Sequence, residues 1–527
     1  MDNQYQVIIV GGGPVGVALA VELGLRGVSC ALIERRRKLQ NVPKGQNLMQ
    51  RTLEHFYFWG IVDEIRAARI MPAGYPIGGV TAYKSLMGEY WHAPAGREVV
   101  RSYYFQENDR MPQYCMEEVL RRKMATLKTV TTYFGCTAES VAQHDAGVRV
   151  TIAGENGESK VLTADYAVGC DGGHSLVREE VGIARGGKDF DQLMMLAVFR
   201  SRELHEGLKR FPERSTYRVL HPDLKGYWQF FGRIDVGEGF FFHAPVPADT
   251  TTSNFDFHGL IQSVAGFNFA CEFDHVGFWD LRVAVADSYQ VGRVFIAGDA
   301  AHSHPPYGGF GLNNGLEDAT NLGWKLASVL QGWGGEALLT SYSDERRPIF
   351  RQTADDFISA RIEEEAEFLA NYSPERDRAA FEGAWDKLEA YGGNRVMVYE
   401  PHYEGSGVVA GPPGGVCSAH GKHTFTARAG HHLPPQQLSS GRNVFEELGT
   451  GFTLLAFGDQ VMAVRAFEEA AAKRRVPLKV VRDSYADGRT AYAAQLTLVR
   501  PDQYVVWCGD RAPADPAQLM AKVAGQG

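Results

Sequence analysis

The chain is poor in the features that mark several protein classes. Its 527 residues include seven cysteines (Cys30, Cys115, Cys136, Cys170, Cys271, Cys417 and Cys508), and no two form a CxxC pair. A disulfide framework, a zinc knuckle and a dithiol redox centre all lose their usual sequence support, and no metal ligands are expected. No apolar run approaches the length of about 20 residues that spans a bilayer. The first six residues are polar, and the apolar run 7–10 breaks at once into glycines, unlike a secretory signal. Basic residues are outnumbered, 54 Lys and Arg against 63 Asp and Glu for a net charge of -9, and they form no block that could follow a phosphate backbone. These absences lead to the expectation of a cytoplasmic protein in a reducing compartment, with neither a nucleic-acid nor a membrane partner.

What is present is ordinary globular material, 44% hydrophobic and 22% charged, with length for about three domains at roughly 150 residues each. Glycine is in excess: 59 residues, or about 11% against an average of roughly 7%. It clusters in short runs rather than repeating.

The first run has the setting that gives it meaning. Residues 7–10 (VIIV) read as a buried parallel strand, and the helical spacing of 17–26 follows Gly11, Gly13, Pro14 and Gly16. A second apolar strand, 30–33, ends at Glu34 and Arg35. Strand, GxGxxG, helix, strand and acid form a dinucleotide-binding fingerprint. The glycines allow a tight turn and close backbone approach to a pyrophosphate, whose charge meets a helix N-terminus, while the carboxylate accepts from a ribose hydroxyl. No second such fingerprint occurs. Helical spacing returns at 113–127 and at about 313–331, and a charged helical stretch runs from 344 towards 390. Between about 187 and 285 the pattern is strand-like, with a hairpin expected at 227–244 around the turn 235–239.

Two further glycine clusters, Cys170-Asp171-Gly172-Gly173 through Arg178 and the long stretch 292–319, complete a pattern. With them the sequence resembles the single-component FAD-dependent aromatic hydroxylases, the flavoprotein monooxygenases that include 4-hydroxybenzoate and phenol hydroxylases. The resemblance covers about residues 5–365. It implies an α/β fold: a Rossmann-type FAD domain (1–75, 111–186 and 286–365) with an inserted mixed-sheet substrate domain (76–110 and 187–285). A helical connection (366–403), a linker (404–442) and a thioredoxin-like C-terminal α/β domain (443–527) follow. It also implies FAD as cofactor and NADPH or NADH as transient co-substrate. Oxygen would pass through a flavin hydroperoxide to a phenolic or amino-bearing ring. Room is left for a homodimer, for a different outcome such as Baeyer–Villiger insertion, oxidative substituent removal or ring opening, and for a flavin-binding protein without turnover.

Residue by residue, the resemblance places Gly298 and Asp299 at the flavin ribityl chain and Asp171 in the FAD and nicotinamide motif. Gly309, Gly311, Leu312 and Asn313 fall at a helix start facing the flavin, with Gln113 as an FAD contact. Lys44 stands where many relatives have arginine. Pro305, Pro306 and Tyr307 fall in the loop between flavin and substrate, with Pro306 offering a carbonyl to the reacting hydroxyl. At the position where some relatives carry a base, this chain has Gln46, an amide that can orient a hydroxyl but cannot take its proton. His304 is the alternative base, ahead of His302. In the expected hairpin, period-two alternation puts Tyr227, Gln229, Phe231 and Arg233 on one face, assigned to the substrate, and Trp228, Phe230 and Ile234 on the other, assigned to core. His243 has a weaker claim.

Overall fold

The computed structural model describes residues 3–527, and the side chains of all these except 188–191 and 389–393. The first apolar run is the inner part of the strand Gln4–Val10, whose last four residues are buried. It pairs in parallel with Cys30–Glu34 on one side and Ser159–Gly169 on the other. Val130–Phe134 and Val294–Ile296 extend the parallel array at its two ends. Such strands are buried on both faces, which is why they read as unbroken apolar runs. The helix Pro14–Leu25, apolar around nearly its whole girth, packs between this sheet and the helices Gln113–Ala125 and Phe310–Leu330.

A second, eight-stranded sheet draws on the segments expected to be inserted and adds the short strand His302–Ser303 at one edge. Its central strands, Glu272–Ala286, Arg185–Arg200, Gly239–Val246 and Gln229–Arg233, run antiparallel. Thr216–Leu220 then joins Gly79–Tyr83 in parallel. The expected hairpin is the pair Gln229–Arg233 and Gly239–Val246, its turn held by Asp235 Oδ1 accepting from the N–H groups of Glu238 and Gly239. One face of this sheet is closed by the helices Arg202–Gly207 and Phe257–Ala265, which bury Phe199, Phe231 and Phe242. The other face turns towards the first sheet.

Near the C-terminus, Phe452–Phe457 pairs in parallel with Leu478–Asp483 and antiparallel with Leu496–Val499, which pairs in turn with Val505–Gly509. With the helices Val461–Arg474 and Pro516–Val523 this is the thioredoxin-like arrangement anticipated from the tail. The stretch 404–442, expected as a linker on its proline and glycine content, is packed instead. It contributes the strand Cys417–His420 and buries Val408, Val409, Ala419, Leu433 and Leu438. The glycines there serve close approach: a Cβ at Gly430 would lie 2.4 Å from the backbone nitrogen of Glu404.

Candidate functional site

A cavity of about 560 Å³ lies between the two sheets, with the glycine turn at one end. Gly11 has φ of +107°, and a Cβ there would sit 2.3 Å from the carbonyl oxygen of Cys170. A Cβ at Gly16 would sit 1.9 Å from the Gly11 carbonyl oxygen, so the helix meets the turn only because both lack side chains. Gly13 caps the helix without a side chain, and nothing occupies the space its Cβ would take. The first helical N–H groups are therefore free for an anion. Glu34 is aimed by two backbone donors, Gly12 N–H to Oε2 at 2.8 Å and Arg36 N–H to Oε1 at 2.7 Å. Pro14 and Arg35 share this wall.

In the middle of the cavity lie Lys44, Gln113, Asp171 and Asp299. Asp171 is tied locally, accepting from Ser175 Oγ and from Val177 N–H at 3.1 Å, which fixes the start of the helix Leu176–Glu180. Asp299 projects into the cleft, its surface open though protein surrounds it. This desolvation raises its carboxyl above the usual range, with His302, Lys44 and Arg185 opposing. Opposite is the N-terminus of the helix Phe310–Leu330, entered through two left-handed glycines, Gly308 and Gly309. Gly309, Gly311 and Leu312 line the cavity there. Asn313 does not line it: Oδ1 accepts from Met49 N–H at 2.8 Å and Thr52 Oγ1 at 2.6 Å, while Nδ2 donates to the carbonyls of Asn47 and Gly309. Gly298 likewise lies behind the wall, where a Cβ would strike Val15 at 2.8 Å.

The far end is aromatic. Phe230 stacks on His243 with ring centroids 4.9 Å apart, and Phe241 crosses both edge-on. Residues lining the same cavity carry buried polar atoms without hydrogen-bond partners: both side-chain atoms of Gln46, Nδ1 of His243 and Nε2 of His304. His304 Nδ1 lies 2.5 Å from the Pro305 carbonyl oxygen, so it carries the proton and Nε2 presents a lone pair. Burial pushes the His304 imidazole down to about 4, with that bond opposing, and His243 down to about 3. Pro306 stands on the same wall. His302 is spent elsewhere, with Nε2 2.6 Å from Asp318 Oδ2.

None of the hairpin residues assigned to the substrate lines the cavity, and of those assigned to core Phe230 does, while Trp228 is buried as expected. Gln229 and Arg233 are buried away from the cavity: Arg233 donates to the Tyr217 hydroxyl at 3.1 Å, approaches His205 Nδ1 at 2.9 Å and lies over the Phe240 ring. A face mixing aromatics with a charged head is satisfied inside a core once tyrosine and histidine take the head. Phe230, assigned to core, is on the cavity side. The overlooked signal was Gly232, two residues on, where a Cβ would fall 1.9 Å from the Phe241 ring; its absence lets that ring lie flat across the wall. Tyr227 and Tyr307 also fall behind the wall, the Tyr307 ring stacking on that of Trp228 at 4.0 Å and its hydroxyl accepting from the Trp228 backbone N–H at 3.1 Å. Pro305 touches the site only through His304. Arg110, which the sequence did not single out, lines the aromatic end.

Comparison with known proteins gives consistent matches. A family profile described as "FAD binding domain" matches residues 4–356, and one described as "Aromatic-ring hydroxylase, C-terminal" matches 426–526. Tetracenomycin A2 monooxygenase-dioxygenase of Streptomyces glaucescens is 30% identical over 574 residues, covering 99% of this chain and 98% of its own. RebC soaked with chromopyrrolic acid and holding 7-carboxy-K252c superposes with a TM-score of 0.87 at 29% identity, covering 100% of both chains. Aklavinone-11 hydroxylase with FAD and aklavinone gives 0.81 at 27% identity, covering 99% of both.

Proposed function

The chain belongs to the FAD-binding aromatic-ring hydroxylases, an FAD-dependent monooxygenase family, and from that membership we propose that it uses NADPH or NADH and O2 to hydroxylate a phenolic or amino-bearing aromatic small molecule. The observation that carries this reading is one continuous cavity with a dinucleotide turn at one end and an aromatic chamber holding unpaired polar atoms at the other. Bound there, FAD would take reducing equivalents from the nicotinamide and activate O2 for transfer of one oxygen atom to the ring.

The residues divide the rest of the work. The turn from Gly11 to Gly16 and the helix behind it hold the pyrophosphate, and Glu34 takes a ribose hydroxyl. Lys44, Gln113, Asp171 and Asp299 hold the middle of the cofactor. The helix N-terminus at Gly311 and Leu312 supports negative charge on the flavin ring. In the chamber, Phe230 and Phe241 position the substrate ring and exclude water, Gln46 orients its hydroxyl, and Pro306 offers a carbonyl. His304 and His243, held neutral well below physiological pH, accept hydrogen bonds without taking a proton into solution. The electron-donating group of the substrate itself supplies the activation.

The protein should purify yellow, and a panel of phenols and aminoarenes should contain members that accelerate NADPH or NADH oxidation with a product heavier by one oxygen atom. Colourless protein, or no acceleration across the panel, overturns the reading. Loss of a ring substituent or ring opening in the product would reassign the outcome while keeping the cofactor.

A further inference from the structure

Arg110 has no task in the scheme above. It ends the short strand Asp109–Arg110, which pairs with Asn47–Leu48 beneath the chamber, and it is only 4% exposed while lining the cavity. Its Nη1 donates to Asn47 Oδ1 at 2.8 Å, its Nη2 approaches the Arg233 carbonyl at 3.4 Å, and its Nε has no partner. Among the described residues no carboxylate pairs with it. The neighbouring Asp109 is committed to Arg69 at 3.3 Å and to the backbone N–H of Arg110 itself. Burial draws the guanidinium down to about 9, opposed only by Tyr217, so it stays charged at neutral pH.

A cation removed from water without a counterion is costly, and in a ligand cavity the ligand is the group available to offset it. The pyrophosphate end has its own positive groups, Arg35 and Arg36, and its own helix terminus, and the middle of the cavity has Lys44. At the aromatic end the other polar groups, Gln46, His243 and His304, are neutral. The Phe241 ring lies 5.9 Å from the Arg110 guanidinium carbon, so a substrate ring against Phe241 brings its substituents within reach. Resting on the hydroxylase reading, we propose that Arg110 binds a carboxylate carried by the aromatic substrate through charge-assisted hydrogen bonds. The substrate class is therefore an aromatic carboxylic acid.

The test uses the FAD-loaded enzyme and pairs of hydroxyaromatic carboxylates with their methyl esters. In the wild type, kcat/KM should favour acid over ester by about 10- to 100-fold, the range for a hydrogen bond to a charged group. R110Q should bring that ratio near one, chiefly by raising KM for the acid, with flavin content retained; R110K should restore part of it. Because a benzoate-type carboxylate stays ionised there, the preference and its Arg110 dependence should hold throughout pH 6–8. A ratio near one in the wild type, a ratio unmoved in R110Q, or loss of flavin in R110Q would overturn the proposal, the last by making Arg110 a cofactor ligand. The wild-type ratio is decisive even if R110Q does not fold. Failure of every compound to stimulate nicotinamide oxidation would instead overturn the hydroxylase reading.

Discussion

At the scale of single residues, the cofactor end depends on what is missing from side chains. Gly11→Ala puts a methyl group against the Cys170 carbonyl at a φ of +107°, a conformation alanine resists. Strain of about 1–3 kcal/mol should weaken flavin binding by roughly 5- to 150-fold, read as a fall in the flavin-to-protein absorbance ratio with the circular dichroism spectrum preserved. The chamber residues give a different prediction. Because burial depresses His304 to about 4 and His243 to about 3, neither changes charge between pH 5 and 8. The kcat/KM profile over that range should therefore follow the ionisation of each substrate, moving as the phenol is changed. A fixed inflection near 6.5 in every substrate, abolished by His304→Gln, would contradict this. Gln46→Ala should raise KM for hydroxylated rings and uncouple nicotinamide oxidation from product, measured as hydrogen peroxide released per turnover.

At the scale of elements, glycine-marked turns and apolar strands were legible because close backbone approach and burial on both faces restrict residue choice locally. Gly11, Gly13, Pro14, Glu34, Gln113, Asp171 and Asp299 all reach one cavity from distant parts of the chain. The hairpin was legible as a hairpin, but not which face looks inward, since alternation fixes that two faces exist and not what covers each. Arg233 reads as polar in the sequence and is core in the fold because Tyr217 and His205 reach it from other elements. Asn313 was found by resemblance, yet its side chain spans two helices and a loop. Asn313→Ala would orphan the buried Met49 N–H and remove a donor from the Asn47 and Gly309 carbonyls, costing about 1–3 kcal/mol. A Tm lowered by several degrees, with flavin released at a lower temperature than in the wild type, would check it.

At the scale of the molecule, the C-terminal unit is joined to the flavin unit through buried charge. Glu345, fully buried, accepts from Lys325 at 2.7 Å, Asn321 at 2.8 Å, Ser406 at 2.7 Å and both Nη atoms of Arg500, which also holds Asp502. Nothing local marks this: Glu345 and Arg500 are 155 residues apart, and each looks like a surface residue in its own segment. Glu345→Gln leaves Arg500 and Lys325 short of charge and should destabilise the chain by about 3–5 kcal/mol, measured as a lower denaturant midpoint for both units together. Glu345, Glu317, Asp318 and Glu365 are all held below the usual carboxylate range, since burial alone would raise them but adjacent cations outweigh it. Their folded-state values lie below the unfolded ones, so they stabilise the protein above about pH 4.5 and progressively less as pH falls further. A pH series of thermal melts should be flat from 6 to 8 and fall steeply below about 4.5.

The distance between Glu345 and Arg500 is also an interval of time. At roughly 5–20 residues per second, Arg500 is synthesised about 8–30 s after Glu345. Every residue named in the cofactor end has been made well before then. At the start of that interval the carboxylate has Lys325 and Asn321, both on the helix immediately preceding its own, to hold it, and Ser406 joins them before the arginine does. The chain thus carries early, local partners that keep the charge matched until the distant arginine arrives, and a later segment completes an ion network begun by an earlier one.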